Sequence, residues 1–127
     1  MIDVVLDSSV ILAHLFNEPG GDAVSARLKT AALSAVNLCE VAGKLADRGL
    51  TTREINAVVT DLGCAVIAVD RDLGLHAAAL RTQTRALGLS LGDRVCLALA
   101  LRESLPVLTA DRAWATLDLP VVVTLIR

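Results

Sequence analysis

Aromatic side chains are almost missing from this sequence: one Trp, one Phe and no Tyr in 127 residues. Apolar residues still make up 54% of the chain, so Ala, Val, Leu and Ile must fill its interior. Lysine is also scarce. Arg supplies 10 of the 12 basic residues, with only Lys29 and Lys44 beside it, and the guanidinium fork suits phosphate and carboxylate partners. No apolar run approaches the roughly 18 residues of a membrane-spanning helix. The tightest, Cys96 to Leu101, lies between Arg94 and Arg102. A secretory signal is not expected, because Asp3 and Asp7 fall where its basic and apolar stretches would lie. Cys39, Cys64 and Cys96 are odd in number and form no CxxC pair. They read as reduced core residues, and a cytoplasmic location is expected. The basic surplus common among nucleic-acid binders is absent as well, since the net charge is −2. Acids gathered in one site would lower that total while leaving a basic rim, so the balance neither supports nor excludes RNA.

The length predicts one domain over residues 1–127, and neither repeat nor linker interrupts it. Short β-rich runs alternate with helical patterns. Strands are expected over Ile2–Leu6, Ala31–Ala35, Ala65–Val69, Pro106–Thr109 and Val121–Leu125. A first helix follows Asp7, capped by Ser8 or Ser9, with a second over Asp22–Lys29. Asn37 opens a third, which ends near Gly49. Others run from Thr51 or Thr52 to Gly63, Asp70 to Leu87, Leu91 to Ser104, and Asp111 to Leu117. This alternation implies an α/β fold with a parallel sheet covered by helices on both faces. Such sheets bind ligands beyond the carboxyl ends of their strands.

Four acids fall at that edge. Asp7 ends the first strand, and Asp111 follows the strand 106–109. Glu40 and Asp93 are expected in the first turns of helices. Each interrupts an otherwise apolar stretch. Singly, Asp7 could cap its helix and the others could complement helix dipoles. Jointly, carboxylates converging on a partly dry site would raise one another's pKa unless a cation compensates. An all-oxygen donor set favours Mg²⁺ or Mn²⁺ over Zn²⁺, and His14 and His76 have no partner at ligand spacing. The chemistry implied is phosphodiester hydrolysis.

The segments VVLDSSVILA, NLCEVAGKL, LGLSLGDRVCLALA and PVLTADRAWA resemble, in order, the four signature segments of PIN-domain proteins, most nearly the VapC toxins of bacterial toxin–antitoxin pairs. The resemblance implies a three-layer α/β/α domain with a mostly parallel sheet and a Mg²⁺- or Mn²⁺-dependent endoribonuclease. It places Asp7, Glu40 and Asp93 in the metal-binding core, with Asp111 in support. The family's small hydroxyl residues fall on Ser8 and Thr109, while Asn37 reads as a helix cap. Asp118 is a further candidate acid beside the turn at Pro120. The resemblance also implies a structured RNA substrate such as tRNA, a cognate VapB-like antitoxin and a homodimer. Leu12, Leu15 and Phe16 are candidates for the antitoxin groove, with core packing as the alternative.

Arg94 and Arg112, each next to a site acid, are candidates to grip RNA phosphates; a solvated charge or salt bridge is the alternative. Trp114 is expected to pack against the sheet's end. Two other classes compete. A receiver-like phospho-acceptor would want an acidic pair early and a Lys after a late strand, and the chain has neither. A non-catalytic PIN-like binding domain would have less need of all four acids.

Overall fold

The strands expected from the β-rich runs form one five-stranded sheet in the computed structural model, which describes residues 1–127. They are β1 (Val4–Leu6), β2 (Ala31–Ser34), β3 (Ala65–Ile67), β4 (Val107–Thr109) and β5 (Val123–Leu125). Their order is β3-β2-β1-β4-β5, and every neighbouring pair is parallel. Helices make the crossovers: α1 (Ser8–Leu15), α2 (Ala35–Asp47), α3 (Thr52–Leu62), α4 (Arg71–Thr84) and α5 (Leu91–Glu103). The chain steps outward from β1 to β2 to β3, then returns through α4 and α5 to lay β4 on the other side of β1. The strand order therefore reverses at β1, where parallel sheets open a crevice beyond their carboxyl ends.

The two-residue period of the strands sorts the core into two layers. Val4, Leu6, Ala31, Leu33 and Leu108 point to one face, where they pack with Val10 and Ile11 of α1, Val41 and Leu45 of α2 and Leu62 of α3. Val5, Ala32 and Val107 point to the other, against Leu73, Ala77 and Leu80 of α4 and the buried run of α5 from Val95 to Ala100. Helix–sheet–helix stacking of this kind is why the central strands are apolar on both faces. Trp114, 1% exposed, packs in the second layer, as expected of it. Leu15 and Phe16 are half-buried against the first, and the Arg48 guanidinium lies 3.7 Å from the Phe16 ring centroid. No helix is long and apolar enough to cross a membrane.

Several local expectations are corrected. Residues 22–29 form no α-helix. They make two short 3₁₀ turns, Gly21–Ala23 and Leu28–Thr30, whose backbone bonds run from Val24 to Gly21, Arg27 to Val24 and Thr30 to Arg27. The segment needs only to lay Val24 and Leu28 on the core, and Gly21 clamps its start. A Cβ there would stand 2.2 Å from the Ala13 carbonyl oxygen. The Asp111–Leu117 helix is likewise 3₁₀, over Arg112–Thr116. Asn37 does not open α2; Ser34 caps it, and its hydroxyl accepts the Asn37 N–H at 3.0 Å. Glu40 consequently lies in the second turn rather than the first. Asp7, not Ser8 or Ser9, occupies the N-cap position of α1. Of the cysteines, all free, Cys96 is buried and Cys64 half-buried, but Cys39 is exposed on α2.

Candidate metal centre

The four acids lie at the carboxyl edge of the sheet around β1. Asp7 is fixed first by the backbone. Its N–H donates to the Leu108 carbonyl of β4 at 3.0 Å, which ties the ends of the two central strands together. Its carboxylate does not cap α1. Oδ2 accepts instead from Ser9 Oγ at 2.7 Å and from Thr109 Oγ1 at 2.9 Å. Those hydroxyls also receive backbone N–H groups, Ser9 from Ala110 at 2.9 Å and Thr109 from Asp111 at 3.0 Å. The expected hydroxyl partner Thr109 is in place. The second is Ser9 rather than Ser8, because the turn into α1 brings the residue two positions on, not one, back toward β4. Ser8 instead lines the hollow beside Glu40.

Glu40 reaches across from α2. Its Oε1 accepts from Asn37 Nδ2 at 2.8 Å. Asn37 is fully buried, accepts the Ser34 hydroxyl on Oδ1 at 2.9 Å, and donates to the Gly92 carbonyl at 3.3 Å. A polar residue among apolar ones is the signal that marks Asn37 as more than a cap. Replacing it with Ala would strip one partner from each of these groups. We expect a loss of about 1–3 kcal/mol in urea unfolding together with about 10–100-fold lower metal affinity, the scale seen when groups supporting a metal ligand are removed.

The Glu40 carboxylate lies on the first turn of α5, directly over Gly92. A Cβ at residue 92 would be 2.6 Å from both of its oxygens. The next residue, Asp93, closes a capping box with Ser90: its Oδ2 accepts the Ser90 N–H at 2.9 Å, and its own N–H donates to Ser90 Oγ. Asp111 caps the 3₁₀ turn, with Oδ1 accepting from the Ala113 N–H at 3.0 Å. Each of the four carboxylates thus has one oxygen held by the protein and the other without a protein hydrogen bond.

Electrostatics distinguish them. Asp7 is 3% exposed, and burial pushes its carboxyl up to about 6, with smaller contributions from the charges of Asp93 and Glu40 outweighed by its two hydroxyl donors. Its free Oδ1 is buried without a partner. Asp93 is raised too, chiefly by burial and then by Asp111 and Glu40, against the lowering effect of Ser90. Beneath them the Cys96 thiol is driven well above its ordinary range by burial and by the charges of Asp7, Asp93 and Glu40. No three of the acids, as their side chains stand, are close enough to hold an ion among them. The donor chemistry nevertheless fits a hard cation: four carboxylates, each with an uncommitted oxygen, one of those oxygens buried and unsatisfied. Asp118 is exposed and is not among the side chains bonded to this group.

Arg94 and Arg112 neighbour the site in sequence, and neither forms a salt bridge. Leu12 lines a hollow of about 370 Å³ with Ser8, Cys39, Glu40, Lys44 and Asp47; Leu15 and Phe16 do not reach it.

An all-parallel α/β/α domain with a group of acids at its reversal point is the class that fold and site define. The PIN domain family model matches residues 4–119, and the chain belongs to that family. PIN domains are generally nucleases that use divalent metals. No curated protein matches the chain. Among solved structures, a toxin–antitoxin complex from Klebsiella pneumoniae superposes with a TM-score of 0.77 at 18% identity over 98% of both chains. DNA-bound VapBC from Salmonella typhimurium gives 0.76 at 17% identity over all of both chains. The sarcin–ricin-loop-cleaving toxin VapC20 of Mycobacterium tuberculosis gives 0.71 at 17% identity, over 91% of this chain and 96% of its own. At these identities the likeness is one of fold.

Proposed function

We propose that the chain is the toxin of a VapBC-type pair and that it hydrolyses RNA with Mg²⁺ or Mn²⁺ held by Asp7, Glu40 and Asp93, assisted by Asp111. The observation that carries this reading is the buried, unpartnered oxygen of Asp7 at the reversal point of the sheet, in the field of two further acids. A buried carboxylate oxygen without a donor is costly, and so is a cluster of like charges; a hard divalent cation relieves both. The absence of His and thiolate from the group favours Mg²⁺ or Mn²⁺.

Bound there, such an ion supplies positive charge to a phosphoryl oxygen and makes an attacking water more acidic. The protein's own part is positional. Ser9 and Thr109 hold one oxygen of Asp7, Asn37 one of Glu40, and Ser90 one of Asp93, so that the second oxygen of each is left for the ion. With water as the nucleophile, the products are a 5′-phosphate and a 3′-hydroxyl. Sequencing RNA ends after brief expression, beside an Asp7→Asn control, tests cleavage, chemistry and target together. We expect 5′-phosphate ends only with the wild type; 2′,3′-cyclic phosphate ends would overturn the mechanism.

The substrate we infer is structured RNA such as tRNA, cut in an exposed single-stranded loop where bases and backbone are reachable. The sarcin–ricin loop cut by VapC20 fits that class. The partner we infer is a VapB-like antitoxin, as in the VapBC complexes of similar fold, with the hollow beside Leu12 and Glu40 as its groove and a homodimer as the assembly. A partner guanidinium entering the acid cluster would take the place of the metal's charge. Four acids that each keep a free oxygen argue against the non-catalytic reading.

A further inference from the structure

The net charge of −2 conceals a local basic site. Of the ten arginines, Arg27, Arg71, Arg102 and Arg127 pair with carboxylates, and Arg48 lies over Phe16. Three of the remaining five, Arg81, Arg85 and Arg94, line one hollow of about 340 Å³ where the end of α4 meets the start of α5. No acid stands within ion-pair distance of any of them.

Helix chemistry does not account for this grouping. Arg81 and Arg85 are four residues apart, a spacing at which like charges on a helix repel. A cation in the last turn of α4 complements the helix dipole, which would explain one of them. Arg94 sits in the first turns of α5, where the dipole disfavours a cation. Three uncompensated guanidiniums around one hollow are relieved by an anion. The remaining lining selects the kind of anion. Leu89 is the one apolar lining residue, and the Thr84 hydroxyl is already committed to the Leu80 carbonyl at 2.8 Å. An acidic polypeptide would want apolar anchors beside the charges, whereas a phosphate needs only charge and forked donors.

Arg94 directly follows Asp93 on α5, so one guanidinium of the hollow is rooted one residue from the acid group. We infer that the Arg81–Arg85–Arg94 hollow is a phosphate subsite that holds a backbone phosphate of the RNA strand beyond the scissile bond. This rests on the ribonuclease reading above and extends it to how the strand is held.

The test measures binding of a short fluorescein-labelled single-stranded RNA by anisotropy across a salt series, in EDTA so that no turnover intervenes. Arg81→Gln/Arg85→Gln/Arg94→Gln is compared with the wild type and with Arg53→Gln, an exposed position on α3. We expect the triple variant to bind at least about tenfold more weakly, with a salt slope shallower by roughly 0.7, the value for one lost phosphate contact. Arg53→Gln should match the wild type. Circular dichroism and the double variant Arg81→Gln/Arg85→Gln, both exposed positions, guard against a folding defect. Unchanged affinity and slope in both variants, while the wild type cleaves RNA with Mn²⁺, would overturn the subsite and leave the nuclease reading intact. Loss of RNA binding in the variants with no cleavage by the wild type would keep the subsite and overturn the nuclease. Loss of binding to poly-L-glutamate, with RNA binding unchanged, would reassign the hollow to an acidic polypeptide and overturn the inference.

Discussion

Asp7→Asn is expected to abolish RNA cleavage while making the metal-free protein more stable at neutral and alkaline pH. The loss of activity should be at least about a hundredfold, because even groups that only support a metal ligand are worth about 10–100-fold. The gain in stability follows from burial. The Asp7 carboxyl is held at about 6 in the folded chain against an ordinary 3.8, so the folded state binds this proton more tightly than the unfolded state does. Its contribution is therefore most favourable below about pH 4, falls as pH rises to about 6, and stays reduced above that. The difference amounts to about 3 kcal/mol, on the order of 10 °C in melting temperature for a chain of this size. Melting curves at pH 5 and pH 8 in EDTA check the upper part of this range, over which about 1.4 kcal/mol of it is lost. The wild type should lose stability between the two relative to Asp7→Asn. Saturating Mn²⁺ should restore the wild type alone, by about 2.7 kcal/mol at a hundred times the Kd. Coincident pH profiles for the two proteins would refute the burial account, and wild-type cleavage by the variant would refute the role of Asp7.

Gly92→Ala should separate site from fold in a different way. In a helix, alanine is favoured over glycine by up to about 1 kcal/mol, so thermal stability should hold or rise. The new Cβ, however, would stand 2.6 Å from the Glu40 carboxylate. That carboxylate is the far end of a flexible side chain and will swing away, leaving Asn37 Nδ2 with only the Gly92 carbonyl to donate to. Cleavage and Mn²⁺ affinity should both fall by about 10–100-fold. Gly74→Ala in α4, where an added Cβ meets nothing within 4 Å, is the control and should leave both unchanged. If Gly92→Ala cleaved at the wild-type rate, the resting place of Glu40 on α5 would have no bearing on the reaction.

Much of this arrangement is legible from the chain alone. The strands are recognisable because both faces of each central strand are buried, which writes Val4-Val5-Leu6 and Ala31-Ala32-Leu33 as unbroken apolar runs. The acids stand out because each breaks such a run. Less legible is what a side chain does once its neighbours arrive. Ser8 and Ser9 are indistinguishable by residue type, and only the geometry of the strand-to-helix turn assigns the Asp7 bond to Ser9. Asn37 reads as a cap because asparagine favours caps; its bonds to Glu40 and to the Gly92 carbonyl span 55 residues in the second case, beyond any local pattern. The basic hollow is hidden for the same reason. Arg94 is visible next to Asp93, but its companions come from another helix. Residues 22–29 carry a helical apolar spacing yet settle into 3₁₀ turns, since tertiary contact at Gly21 decides the backbone there.

The near absence of aromatics also has an experimental consequence. With no Tyr and a single Trp, the intrinsic fluorescence of this protein comes from one place. Trp114 is 1% exposed, and its backbone N–H donates to the Asp111 carbonyl at 3.1 Å. Its emission should be blue-shifted in the folded chain and move to the red on unfolding. The fluorophore lies one 3₁₀ turn from a site acid, so the natural protein carries a spectroscopic reporter close to Asp111. Metal and RNA titrations can be followed through it without attaching a dye.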